Sequence, residues 1–344
     1  MSHRVVALVV ASFVLGSAAL APTATAASDS VTTDITDSAD VVGDLVPGML
    51  AQTTENPGIT VDAEETPTVE IDEIPESGAL SVEFSVDYAV EALPEQDGIT
   101  PLTTNWPSVV AHVQPTGAGV RVMTAIADDS APESYDYTFN VPDGTELTDR
   151  GDFYYLEHGD DLYGSLQEAW AIDAEGKSIP TNYTWDGNTL TQHVELSTPG
   201  IVFPVLADPG WSYSYKFAVT KRASQAKALL TNCFNCEFPV SGAPRAYPRT
   251  NQLLPLRVVG LNFECTFQGS RYNSYGNWIG FRFNSTRNHI DGAGSHIIFE
   301  FRPRDGRRYI FVSAYIANDS FWVNNAFYRS GAIQTWQKFA DNIG

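Results

Sequence analysis

The sequence predicts a mixed fold: an N-terminal antiparallel β-sandwich followed by an α+β domain with a curved antiparallel sheet and a C-terminal helix. Three observations predict it. Short runs with two-residue alternation fill residues 81–210, separated by Asp-Gly and Gly-Asn steps that permit the positive φ of tight hairpins. Four aromatic runs with the same period lie between 261 and 315. Ile333, Trp336, Ala340 and Ile343 then recur at helical spacing and supply one apolar stripe. The length, 344 residues, suits about two domains, and 18 Phe, 15 Tyr and seven Trp suffice for real cores.

The first 26 residues read as a signal peptide, with a basic start at His3 and Arg4, an uncharged stretch from Val5 to Leu20, and small residues at Ala24 and Ala26 before Ala27. Export to the extracellular space follows as the expected localisation. No later window has the length and apolarity of a membrane span.

Charge divides the remainder. Residues 27–100 carry 18 acidic side chains and no Lys or Arg, residues 101–210 carry 17 acidic and three basic, and residues 211–344 carry seven acidic and 16 basic. The formal net charge of −22 therefore conceals a cationic C-terminal part. Residues 27–80, rich in Thr, Ser, Pro and Ala, are predicted to be disordered because they hold too little apolar surface to offset chain entropy. Ser81 to Val90, with Val82, Phe84 and Val86 alternating, is predicted to add an edge strand to the sandwich of 81–210.

Within the sandwich, Tyr137, Phe139 and Val141 alternate before Pro142-Asp143-Gly144. Phe153 to Leu156 lead to His158-Gly159-Asp160, and Tyr183 to Leu190 bracket Trp185-Asp186-Gly187-Asn188. His193, flanked by Val194 in an alternating run, reads as a structural histidine. The acidic residues Asp160 and Asp161 lack the spacing of a calcium loop, and no cofactor or metal is expected. The run Ala169-Trp170-Ala171-Ile172-Asp173-Ala174-Glu175-Gly176, then Thr181-Asn182-Tyr183, Gln192-His193-Val194 and Phe203-Pro204-Val205-Leu206-Ala207-Asp208-Pro209, resembles a module of uncharacterised secreted proteins of high-GC Gram-positive bacteria. That module ends in a Phe/Tyr-Pro-Val-x-Ala-Asp-Pro motif, and the resemblance covers residues 101–211. It implies an exported, modular protein and brings no catalytic residues with it.

The domain of 211–344 opens with a strand from Trp211 to Val219, and Thr220 is placed to cap a helix through Ala226 and Leu230. A long Gly- and Pro-rich connection from Phe238 to Pro255 suggests pinning by a crosslink. Cys236 bonded to Cys265 is the favoured disulfide, with Cys233 possible instead of Cys236; closing that loop of about 30 residues would contribute roughly 3 to 4 kcal/mol in the chain-entropy model. The rivals are a redox Cys233-Phe234-Asn235-Cys236 motif and a zinc site recruiting His289; no βαβ pattern supports the first and no second close ligand pair the second. Leu261, Phe263, Cys265 and Phe267, then Ile279, Phe281 and Phe283, Ile297, Phe299 and Phe301, and Tyr309, Phe311 and Tyr315 form the four strands and one aromatic face. Arg304-Asp305-Gly306-Arg307 closes the last hairpin.

Function is sought on the opposite, polar face. Arg282, Arg302, Arg304, Arg307 and Arg308, with Trp278, Tyr272 and Tyr275, are the candidate binding residues for an anionic polymer, through bidentate phosphate contacts and stacking. The competing reading is that these arginines pair with the acidic sandwich. The polar string Asn288 to His296 supplies weak catalytic candidates, His289, Asp291, His296 and Glu300, but triad chemistry needs partners from separate elements. There is no Gly-x-Ser-x-Gly, His-Glu-x-x-His or phosphate-cradling loop. The expectation is a non-catalytic extracellular protein binding an anionic envelope polymer or lipid, with nucleic acid a poor fit to pI ≈ 4.4. The alternatives are an exported effector or hydrolase with a C-terminal His/Asp site, and a lipid-binding domain.

Overall fold

The computed structural model describes residues 35, 38–46, 58–62, 66–72, 80–116, 119–150, 153–159, 161–212, 215–258, 261–290, 292–304, 306–315 and 326–344. It is built mostly of antiparallel sheets, with few helices and a helix at the C-terminal end, and residues from Thr33 to Gly344 form one compact unit. The signal-peptide segment lies outside the described residues, and no described helix is long and apolar enough to cross a membrane.

In the first sheet the strand order is β1 (Ile59–Asp62), β2 (Thr68–Ile71), β3 (Val82–Val86), β8 (Ser134–Phe139), β14 (Thr189–Val194) and β13 (Thr181–Asp186). The second runs β4 (Ala89–Ala92), β5 (Thr100–Thr104), β6 (Val109–Thr116), β7 (Gly119–Ile126), β16 (Gly210–Ser212), β11 (Asp161–Gln167), β10 (Phe153–His158) and β9 (Glu146–Asp149). Two short strands, β12 (Ala171–Ile172) and β15 (Val205–Ala207), attach to it through β7. The first sheet alternates as a half-buried sheet should, whereas β6, β7 and β11 of the second are buried on both faces; the two share one core in which Phe84, Tyr137 and Phe139 meet Leu102, Val109, Val120 and Trp211.

Three expectations for this half are corrected. The segment read as disordered through residue 80 contains a helix, α1 (Ser38–Leu45), and the β1–β2 hairpin. Val69 and Ile71 are buried in the shared core, and Val41 and Val42 pack against Val110, Met123, Ala125 and Leu206. Four-residue strands gain their burial from neighbours, so low average hydrophobicity did not forbid them. β3 is consequently an interior strand, paired with β2 on one side and β8 on the other. The boundary near 210 is also crossed, because Trp211 pairs with Val120 and Leu166, and its buried ring packs 5.3 Å from Phe139.

The third sheet has the order β17 (Tyr215–Val219), β22 (Arg307–Tyr315), β21 (His296–Arg304), β20 (Trp278–His289), β19 (Leu261–Tyr272) and β18 (Gln252–Val258). On one face lie α2 (Ala223–Asn232), the short α3 (Phe234–Glu237) and α4 (Ala326–Ile343). Phe238 is the hub of this core, within 5.1–6.1 Å of the rings of Phe234, Phe281, Phe283, Phe299, Trp336 and Phe339. The expected stripe of α4 is present, with Ala340 and Ile343 buried and Ile333 and Trp336 half-buried. Thr220 does not cap α2. The Gln225 side chain instead accepts from the Arg222 N–H at 2.9 Å, and Thr220 bonds the Gly344 carbonyl.

One aromatic face was expected; the sheet has two. Phe299 pairs with Val312 and Phe301 with Ile310, so those side chains face the helices, whereas Tyr309 and Phe311 point the other way. There Phe311 and Ile298 pack on Phe153, Tyr155 and Leu162 of the β10–β11 hairpin. The disulfide is also corrected: Cys233 bonds Cys236, and Cys265 lies buried on β19 opposite Leu254, outside the bond. Cys265 belongs to the alternating inward set of its strand, while Cys233 and Cys236 are brought within 5.3 Å (Cα to Cα) by one helical turn.

Candidate functional site

The polar face of the third sheet is an internal contact. Glu157 of β10 lies between Arg150 and Arg302, bonding Arg150 Nη2 through Oε1 at 2.6 Å and Arg302 Nη2 through Oε2. Burial pushes the Glu157 carboxyl up, but Arg302 and Arg150 outweigh it and hold it below the usual carboxylate range. The Arg302 guanidinium stacks 5.1 Å from the Tyr155 ring and 5.6 Å from that of Phe311. Arg304 donates from Nε and Nη2 to Asp161 Oδ1 at 2.9 and 2.7 Å. Arg271 reaches Glu300 at 3.2 Å and the Arg150 carbonyl at 2.8 Å.

Two candidate binding residues, Arg302 and Arg304, are thus neutralised by carboxylates of the acidic half and are corrected to structural anchors. Arg282 donates to Asn284 at 2.6 Å on the same face. Glu300, a catalytic candidate, has no exposed surface and bonds Arg271, which fits an ion pair rather than proton transfer to a solvent-borne substrate.

The histidine constellation is not assembled among the described residues. Asn284 is opposite His296 on β21, whereas His289 lies beyond an irregular step in β20 and is opposite Phe263 on β19, on the other side of its strand. His289 is half-buried, edge-on to Phe263 at 5.0 Å, and burial pushes its pKa down to about 4, so it is neutral at pH 7. Asp291 lies outside the described residues. His193 is the structural residue expected, its ring nitrogens bonded to Ser134 at 3.0 Å and Thr184 at 2.9 Å. No group of acidic, His or Cys side chains among the described residues could hold a metal ion.

What stays open to solvent is one end of the third sheet. The β19–β20 hairpin carries Tyr272, 55% exposed, and Tyr275, 87% exposed. Its tip is fixed: Asn273 Oδ1 accepts from the N–H groups of Tyr275 and Asn277 at 3.1 and 2.9 Å, and Gly276 takes the positive φ that the turn requires. Lys227 of α2 lies 5.1 Å above the Tyr272 ring and 5.9 Å from that of Trp278, which is buried against Phe301. Because β20 and β21 run antiparallel with Gly280 opposite Glu300, the β21–β22 hairpin bearing exposed Arg307 emerges at this same end. Exposed Arg249 stands on the segment whose Tyr247 hydroxyl bonds Ser270 at 3.1 Å, close to Tyr272 along β19. Arg308 is half-buried and donates to the Thr220 carbonyl at 3.0 Å.

Sequence reasoning therefore found Tyr272, Tyr275, Trp278 and Arg307 together but missed Lys227, which has no aromatic neighbour in sequence. It also missed a buried acid in the first half. Asp208 is completely buried, accepts from the Trp170 N–H at 2.9 Å and from Gln192 Nε2 at 3.3 Å, and burial pushes its pKa up to about 7. No known family, curated protein or solved structure matches the chain.

Proposed function

We propose that the chain is an exported, non-catalytic binding protein that meets an anionic envelope polymer through the basic, aromatic end of its third sheet. The observation that carries this reading is the fixed hairpin tip presenting Tyr275 at 87% exposure beside Tyr272 and Lys227. The Tyr275 ring, almost wholly exposed, contributes little to folding, and two aromatic rings with Lys227 against one of them and Arg249 and Arg307 at the same end of the sheet suit a chain of phosphates interleaved with apolar carbon. In this reading residues 81–210 are an acidic β-sandwich module and 211–344 a basic α+β domain docked on it. In the same reading residues 1–26 direct export, and the resemblance of the Phe203-to-Pro209 motif to that of exported modular proteins supports it.

The test is titration of the purified chain with a glycerol-phosphate polymer at low salt, read by calorimetry. Binding weakened at least about tenfold by Y275A or R307A, with unchanged far-UV circular dichroism, supports the reading, since each hot-spot loss of this kind amounts to more than about 1 kcal/mol. Absence of binding by the intact chain to this polymer removes it.

A further inference from the structure

We propose that the Cys233–Cys236 disulfide is an exchange site that accepts two electrons from an external dithiol. The two sulfurs differ in access: Cys233 is 4% exposed, whereas Cys236 lies on the solvent side of the same helical turn. An incoming thiolate can therefore reach only one of them. The turn is held by contacts that do not involve the bond. Phe234 is fully buried, stacked on Phe238 at 5.1 Å and edge-on to Tyr247 at 5.7 Å and Phe281 at 5.9 Å. Its N–H donates to the Arg245 carbonyl at 2.7 Å, and the Cys233 N–H to Leu229 at 3.0 Å.

A ring of so few residues restricts the unfolded chain less than any longer disulfide loop does. The bond therefore contributes little to a fold that already fixes both cysteines, while the fold keeps Cys233 poised against any mixed disulfide formed at Cys236. The Asn235 side-chain amide lies 3.3 Å from Cys233 Sγ. Its oxygen and nitrogen can exchange places, and with the NH₂ toward sulfur it donates a hydrogen bond to the departing thiolate. A stabilised leaving thiolate departs faster.

The reaction balances as follows. One thiolate of the external dithiol attacks Cys236 Sγ; the Cys233–Cys236 bond breaks, and its electron pair leaves on Cys233. The second thiolate of the partner then attacks the partner's own sulfur in the mixed disulfide, forming the partner's disulfide and releasing Cys236 as thiolate. The partner is oxidised by two electrons, the pair is reduced by two, and the two protons lost by the partner's thiols end on Cys233 and Cys236. Cys265, buried in the aromatic core, takes no part.

The experiment uses the full chain without denaturant. It is reduced with dithiothreitol, alkylated with iodoacetamide and digested, and the near-UV circular dichroism is recorded before and after reduction. Labelling of Cys233 and Cys236 but not Cys265, with the near-UV signal retained, is the expected result. In parallel, C233S is expected to capture oxidised glutathione at Cys236 about tenfold faster than C236S captures it at Cys233, because access selects the sulfur. Labelling that needs denaturant, a near-UV signal lost on reduction, or equal capture by the two variants would overturn the proposal; the wild-type arm decides even if a variant does not fold.

Discussion

Glu157 holds two guanidinium groups from opposite sides of the contact between the β10–β11 hairpin and the third sheet, so its removal is the sharpest test of that contact. In Glu157→Ala both Arg150 and Arg302 lose their carboxylate while staying largely enclosed, with side chains 20% and 18% exposed. Breaking a buried ion pair by deleting one partner costs about 3–5 kcal/mol. Partial access of both arginines to water puts the expected loss near the lower end, about 3 kcal/mol. Glu157→Gln keeps the shape and one acceptor and should cost less. Urea unfolding at pH 7 measures both.

The pH dependence follows in sign. The folded pKa of Glu157 is depressed, so its stabilisation is fully present above the unfolded value near 4.3 and disappears as pH falls through the folded value. Wild type should therefore lose stability in that acid window more steeply than E157Q. Deleting Arg302 as well should cost less than the sum of the single changes by over about 1 kcal/mol, the mark of groups acting on each other. Strict additivity, or a loss under about 1 kcal/mol in E157A, would refute the claim that this pair clamps the two halves.

Asp208, buried with a pKa pushed up to about 7, makes the folded state prefer the protonated form, so the stability of wild type relative to D208N should fall as pH rises from about 4 to about 7 and then level off; taking the difference between the two in thermal unfolding scans cancels the opposite contribution of His289, which both carry. Gly280→Ala should fail to fold or lose several kcal/mol, since a Cβ there would sit 1.8 Å from the Phe299 carbonyl oxygen; soluble yield and circular dichroism report it. Phe238→Ala, which empties the hub of the helix-side core, should cost about 3–5 kcal/mol by urea unfolding. Tyr275→Ala should leave stability within about 0.5 kcal/mol, because its ring is exposed.

Strands bounded by positive-φ glycines were legible. Gly144 follows β8, Gly187 closes β13–β14 with Asp186 opposite Thr189, and Gly306 closes β21–β22 with Arg304 opposite Arg307. Each turn reports its own local geometry, so the signal survives without knowledge of the rest. β1 and β2 were hidden because Ile59, Val61, Val69 and Ile71 are diluted by acidic residues, although their spacing of two was there to be read. The disulfide depended on which cysteines a strand aims inward. Periodicity correctly put Arg302 and Arg304 opposite the Phe face, yet what covers that face is set by Phe153, Tyr155 and Leu162, more than a hundred residues away. Likewise Lys227 joins Tyr272 only because α2 lies across β20.

That internal pairing changes what the cationic half can offer a partner. Of its 16 basic residues, Arg302 and Arg304 are neutralised by the acidic half and Arg271 by Glu300, so the guanidinium groups of the sheet face are turned inward. The cations left at the end of the sheet that carries the tyrosines are few, chiefly half-buried Lys227 and exposed Arg249 and Arg307. Each phosphate contact steepens the dependence of log affinity on log salt by somewhat under one unit, so about three contacts predict a slope of roughly −2 to −3. The stacking contribution of Tyr272 and Tyr275 should survive salt. A slope steeper than about −6 would require a broad basic surface, which could open only if Arg302 and Arg304 left Glu157 and Asp161 on binding, and E157A would then strengthen rather than spare the interaction.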